Sequence, residues 1–127
     1  MSSNPVHFDV RPGGCLTGSL RVPGDKSISH RSVMLGSLAE GTTRVSGFLE
    51  GDDSLATLRA FQAMGVQIDA DGEGQLTIHG VGMHGLKSPA VPLDLGNSGT
   101  SMRLLCGLLA GAGLDLTLIG DRSLSKR

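Results

Sequence analysis

The 127 residues include 20 Gly and 5 Pro, are 39% hydrophobic and 18% charged, and contain no Trp or Tyr. Glycine stands at more than twice its usual share of roughly 7%, but without a collagen period, and the apolar content excludes a solvated disordered chain. A net charge of −1 and the missing aromatics argue against a nucleic-acid or anionic-membrane surface built on bulk positive charge or base stacking.

Residues 1–15 read as irregular, punctuated by Pro5, Pro12 and Gly13-Gly14. Leu16, Gly18, Leu20 and Val22 alternate with Thr17, Ser19 and Arg21, which predicts a strand ended by Pro23-Gly24. Residues 26–40 predict a helix with Ile28, Leu35, Leu38 and Ala39 on its buried face and Gly41 as its stop. Thr43 to Leu49 is β-rich. Asp52, as N-cap, opens a second helix with Leu55, Leu58, Phe61 and Met64 as its stripe, closed by Gly65.

Val66, Ile68 and Ala70 alternate, and Asp71-Gly72-Glu73-Gly74 turns the chain into Leu76-Thr77-Ile78, a predicted hairpin. Residues 80–92 read as a loop, Leu93-Asp94-Leu95 as a short strand and Gly96 to Thr100 as a tight turn. Residues 101–111 predict an apolar helix, and Leu114 to Ile119 a last strand. The longest apolar run, Leu104 to Leu114, is too short to span a bilayer, and Met1 to Pro5 contain no apolar signal core. The expectation is a soluble, cytoplasmic chain with Cys15 and Cys106 reduced and buried.

Gly24-Asp25-Lys26-Ser27, Gly51-Asp52-Asp53-Ser54 and Gly120-Asp121-Arg122-Ser123 share the pattern Gly-Asp-x-Ser, the first two 27 residues apart. Gly96-Asn97-Ser98-Gly99 is a variant. Separate capping events would explain each one, and a strand–helix module used repeatedly would explain them together. The unequal spacings exclude a solenoid.

The stretch 24–31 is the most informative. Free amides and the helix dipole make a helix start receptive to an anion, whereas Lys26 in that first turn opposes the dipole unless an anion is near. Arg31 lies on the Ser27 side at i,i+4 spacing, so Lys26, Ser27 and Arg31 could converge on one phosphate. A solvated helix start is the plain alternative. A Walker A loop fails, because Asp25 separates Gly24 from Lys26. In 96–103, two glycines let backbone approach a ligand, the amides of Gly99 to Ser101 could cradle an oxyanion, and Arg103 is one turn on. An ordinary capped helix is the alternative there, and Lys126-Arg127 could be no more than a solvated end. His79 and His84, five apart in a loop, lack a carboxylate or Cys nearby, so no metal site is expected. His30 is a candidate to orient a ligand or a partly buried polar residue. Glu50, Asp52 and Asp53 lack the remainder of a calcium loop, and Asp52 and Asp53 suit a helix N-terminus.

Pro23 to Arg31, Leu93 to Arg103 and Gly120 to Arg127 closely resemble, in order and spacing, the 5-enolpyruvylshikimate-3-phosphate synthases, and the likeness runs from about Gly13 to the last residue. The resemblance implies an α/β (α+β) fold of two domains built from repeated βαβαββ units. Residues 1–22 would belong to the lower domain with a hinge strand, and 23–127 to an incomplete upper domain. It implies enolpyruvyl transfer from phosphoenolpyruvate to the 5-hydroxyl of shikimate 3-phosphate with release of phosphate, in aromatic amino-acid biosynthesis. No cofactor and no metal are implied.

On matching positions, Lys26, Ser27 and Arg31 would bind shikimate 3-phosphate. Lys26, Gly99 and Arg127 would bind phosphoenolpyruvate, with Lys26 also catalytic and Asn97 and Arg103 supporting. Glyphosate would occupy the phosphoenolpyruvate pocket. The related enolpyruvyl transferase of peptidoglycan synthesis fits less well, because it carries Lys-Asn at the first motif and a reactive loop Cys. Family members are several times longer, and their proton-transfer acids lie beyond Arg127. The expectation is an N-terminal fragment, inactive alone, whose partner is the remaining C-terminal part of the enzyme. A non-catalytic phosphate-binding module is the alternative.

Overall fold

A computed structural model describes residues 7–127, and the first part of the expected irregular start and lower-domain segment, residues 1–6, lies outside them. Among the described residues, α1 (Lys26–Leu38), β1 (Glu40–Ser46), α2 (Asp52–Ala63), β2 (Gln67–Ala70) and β3 (Gln75–Val81) come first. β4 (Leu93–Asp94), α3 (Gly99–Ala110), β5 (Leu118–Ile119) and a closing 3-10 turn (Leu124–Lys126) follow.

The predicted hairpin forms. β2 and β3 pair antiparallel with Ile68 opposite Ile78, and β1 adds to the other edge of β3 to give the order β1-β3-β2. The turn closes on Asp71, whose Oδ1 accepts from the amides of Glu73 at 2.8 Å and Gln75 at 3.1 Å. Alternation puts Leu76 and Ile78 on the face covered by helices, where they join Val33, Phe61 and Met64, each at most 3% exposed. Burying side chains of this size contributes about 1.5–3 kcal/mol apiece. The stripe predicted for α2 is confirmed, with Leu58, Phe61 and Met64 buried and Leu55 packed against them. Gly51 rather than Asp52 is its N-cap, so Asp52 and Asp53 sit in the first turn and complement the positive end of the dipole.

β4 and β5 pair in parallel, with α3 as the crossover between them. α3 begins two residues before the predicted start, because Ser98 caps it by accepting from the Ser101 amide at 3.1 Å. The strand expected over 114–119 is shorter: burial alternates along it, but only Leu118–Ile119 find a partner strand.

Several expectations are corrected. Residues 16–22 are not a strand: they are exposed, with Leu16 at 103% and Leu20 at 83%, and pair with no strand among the described residues. The buried face of α1 is not the predicted one. Ile28 and Leu35 are 69% and 66% exposed, whereas Ser29, His30, Val33, Met34, Gly36 and Ser37 are buried. The helix packs through small and polar residues that α2 and the sheet can approach closely. Cys15 and Cys106 are both exposed, the first in the extended segment and the second in α3. His79 lies on β3 rather than in a loop and meets a carboxylate after all, Asp69 across the hairpin, at 3.0 Å.

Candidate functional site

Asp25 caps α1 by accepting from the Ile28 amide at 2.7 Å, so the first turn presents Lys26 and Ser27 with their backbone amides. The dipole conflict at Lys26 is relieved from within the chain. Its Nζ donates to Asp53 Oδ2 at 3.1 Å, and Asp53 belongs to the first turn of α2. Two linked contacts repeat one offset. Lys26 meets Asp53 and His30 meets Thr57, each 27 residues apart, so α1 and α2 run parallel with their starts side by side. That offset equals the spacing between the first two Gly-Asp-x-Ser motifs.

α3 joins them at the same end. Ser101 Oγ lies 3.4 Å from the Asp53 carbonyl and 2.7 Å from Thr57 Oγ1. Three helix starts therefore meet, and their dipoles gather positive potential on one side of the fold.

The candidate residues fall into two groups around this meeting point. In the first, Arg31 folds back so that Nη1 donates to the Ser27 carbonyl at 3.1 Å, while Lys26 turns toward Asp53. Lys26, Ser27 and Arg31 thus share one turn of helix, with the two cations aimed at separate acceptors. In the second, Arg103 Nη1 donates to the Gly99 carbonyl at 3.3 Å, the same four-residue return. Arg127 Nη2 donates to Asn97 Oδ1 at 2.9 Å, and Asn97 Nδ2 donates to Asp121 Oδ2 at 2.7 Å. The bond from Asn97, followed by those from the Leu124 and Ser123 amides and the nearby Arg127 charge, holds the Asp121 carboxyl below its usual range.

Gly99 is the pivot of the second group. A Cβ there would stand 2.8 Å from Arg103 Nη1 and 3.6 Å from Arg127 Nη1. The absent side chain is therefore what lets both guanidinium groups crowd against the start of α3. Arg103 and Arg127 also line an open cleft of about 500 Å3 with Met102, Leu118, Gly120 and Leu124, ample for a small phosphate ester. Lys126 is exposed beside it.

The Gly-Asp-x-Ser motifs are alike in geometry at two places. Asp121 Oδ1 accepts from the Leu124 amide at 2.7 Å, as Asp25 does from Ile28. Ser125 Oγ donates to the Asp121 carbonyl at 2.8 Å, as Ser29 Oγ does to Asp25 at 2.7 Å. Arg31 and Arg127 occupy the same place in the two copies.

Beneath the surface runs a row of polar contacts that the sequence reading did not find. His30 Nδ1 is 2.8 Å from Thr57 Oγ1, which is 2.7 Å from Ser101 Oγ, which is 2.5 Å from Ser98 Oγ. All four residues are 0% exposed. Burial lowers the His30 pKa, Asp53 pulls it back up, and Lys26 and Arg31 add to the fall. Asp53, Thr57, Ser98 and Ser101 were missed as partners, although the 27-residue motif spacing was a usable signal for the first two. Among the described residues no group of three or more His, Cys, Asp or Glu is placed to hold a metal ion, and no helix is long and apolar enough to cross a membrane.

Comparison with known proteins gives a consistent result. The sequence model of the family described as EPSP synthase (3-phosphoshikimate 1-carboxyvinyltransferase) matches residues 10–127. The chain is 70% identical over 122 residues to the 3-phosphoshikimate 1-carboxyvinyltransferase of Alkalilimnicola ehrlichii, covering 96% of this chain and 27% of the relative. It is 68% identical over its whole length to that of Methylococcus capsulatus, covering 29% of the relative. The solved EPSP synthase from Acinetobacter baumannii superposes with a TM-score of 0.83 at 64% identity, over 87% of this chain and 25% of that one. The chain thus spans little more than a quarter of the relatives it matches.

Proposed function

The chain belongs to the EPSP synthase family, and we propose that it supplies the cationic, helix-capped part of the substrate site of a 3-phosphoshikimate 1-carboxyvinyltransferase. In this reading residues 1–22 belong to a lower domain with its hinge strand and 23–127 to part of an upper domain, in a cytoplasmic enzyme. The reaction moves the enolpyruvyl group of phosphoenolpyruvate onto the 5-hydroxyl of shikimate 3-phosphate and releases phosphate.

Both substrates are multiply anionic, so bringing them together demands fixed positive charge. Lys26, Ser27 and Arg31 hold shikimate 3-phosphate at the start of α1. Gly99 and Arg127 hold phosphoenolpyruvate at the start of α3, with Asn97 and Arg103 fixing the geometry. Lys26 reaches both and is the catalytic cation, offsetting charge as the C–O bond forms. The observation that carries this reading is the meeting of three helix starts, with one cationic group at the start of α1 and the other at the start of α3. A proton must also reach the methylene carbon and another must leave the hydroxyl. Those steps fall to the C-terminal part of the enzyme, the partner in this reading.

The test mixes this chain with the portion of the Methylococcus capsulatus relative beyond the matched stretch and follows phosphate release from the two substrates. The mixture turns over, the chain alone does not, and Lys26→Met lowers turnover by about 100-fold or more. Phosphate binding by this chain without turnover in the mixture would replace this reading with that of an anion-binding module. Release of phosphate by the chain alone would overturn the fragment reading.

A further inference from the structure

We propose that His30, Thr57 and Ser101 are positioning residues, a buried relay that locks the start of α3 against α1 so that the two anion groups keep one relative geometry. The inference rests on the functional reading above, which assigns ligands to Ser27 and Gly99 but no role to the relay.

The argument starts from placement. His30 is one turn after Lys26 and on the inner face of α1. Thr57 is one turn after Asp53 in α2, and Ser101 lies in the first turn of α3 two residues after Gly99. The contacts His30–Thr57 at 2.8 Å and Thr57–Ser101 at 2.7 Å cross from the first helix to the third through the second. Ser101 is in turn 2.5 Å from Ser98, the α3 cap.

A hydroxyl has one proton to give and can accept two. Thr57 can therefore give its proton to the ring or to Ser101, but not to both. With a proton on Nδ1, the ring donates to Thr57, and the Thr57 proton is left free for Ser101. With the proton on Nε2, Thr57 must donate to the ring. In both cases the ring is neutral.

His30 Nε2 is buried and finds no partner among the described residues. A charged ring would leave a buried N–H unmatched, with Lys26 and Arg31 nearby to repel it and only Asp53 to favour it. Apolar packing alone would have filled this space at less risk, since a half-satisfied buried network is costly. Directional contacts instead define where α3 begins relative to α1.

The experiment uses the 127-residue chain and nuclear magnetic resonance. In the unaltered chain the His30 ring nitrogens report one neutral tautomer at neutral pH, with protonation displaced below the ordinary value of about 6.5. An ordinary titration near 6.5, or a mixture of tautomers, overturns the proposal without any ligand present. Shikimate 3-phosphate is then added at α1. In the unaltered chain the Ser27 and Gly99 amides both shift. In Thr57→Val the Ser27 response persists, the Gly99 response falls at least about threefold, and the neutral ring loses its single tautomer. Thr57→Ser restores both, which mere filling of space would not achieve, and Ser101→Ala cuts the relay at its next link with the same result at Gly99. An unchanged Gly99 response in both cut variants, or a silent Gly99 beside a moving Ser27 in the unaltered chain, overturns the relay alone. Silence at Ser27 in the unaltered chain overturns the functional reading and the relay with it.

Discussion

At His30 the balance between burial and charge has a sign that can be measured. Burial lowers the ring's pKa from its ordinary value of about 6.5. The unfolded chain therefore binds more protons than the folded one once pH drops below that value. Stability from this group is complete above about pH 6.5 and is lost as pH falls from there through the lower folded-state value. The urea midpoint is expected to be lower at about pH 5 than at about pH 7.5. In His30→Asn, which cannot titrate, that difference shrinks, and an undiminished difference would assign it elsewhere.

Gly99 gives a second residue-scale prediction. A Cβ would press on Arg103 at 2.8 Å, the far end of a flexible side chain that can yield, with Arg127 standing behind at 3.6 Å. Gly99→Ala should thus leave stability within about 0.5 kcal/mol while narrowing the space before both cations. Under the functional reading, with glyphosate in the phosphoenolpyruvate pocket, it is expected to weaken glyphosate, the more extended ligand, by a larger factor than it raises the KM for phosphoenolpyruvate. Equal factors would show that Gly99 does not bound that space.

Among the elements, the close passage of β3 beneath the end of α1 depends on Gly80. A Cβ there would run into the Ala39 carbonyl and lie 2.6 Å from that of Gly36. Neither backbone group can move without shifting the helix, so Gly80→Ala costs about 1–3 kcal/mol. Gly107, in α3 with nothing within 4 Å of a built Cβ, is the control. Gly107→Ala gains about 0.4–1 kcal/mol through helix propensity and the unfolded chain. Urea unfolding of the pair separates crowding from any general intolerance of alanine.

The same scale shows what could be read in advance. The hairpin about Asp71 and the α2 stripe are local patterns, in which period and turn chemistry decide the outcome, and both were legible. The α1 face was not. Its buried side is Ser29, His30, Val33, Met34, Gly36 and Ser37, and a rule that buries the most apolar residues picks Ile28 and Leu35 instead. Polar residues fill that face because their partners, Thr57 and the Leu49 amide that donates to Ser29 Oγ at 2.9 Å, come from elsewhere in the chain. Lys26 was recognised as needing an anion, but Asp53 as its resting partner became visible only when α1 and α2 lay parallel.

For the whole molecule, the stretch from Leu16 to Val22 keeps the alternation of a strand while its apolar side chains stand in water. An isolated strand cannot hold itself, because its backbone groups and apolar face need a neighbour. Under the functional reading that neighbour lies in the C-terminal part of the enzyme. Amide hydrogen exchange at 16–22 is expected to be fast in this chain and to slow at least about tenfold when that part is supplied. Exchange at Leu76 to Ile78, already central in the sheet, should change little. Unaltered exchange at 16–22 in a mixture that turns over would remove this segment from the domain contact.

The Lys26–Asp53 bridge has one more consequence. Lys26, which the functional reading makes the catalytic cation, is not bare: at rest it is tethered to an acid of its own chain, half open to water and weakly held. In that reading an arriving anion must win the lysine from this resident rival, which stays anchored at the start of α2. Capture is thereby made a little harder and eviction a little easier, a bargain that, under the functional reading, suits a site that must let go of phosphate as often as it takes hold.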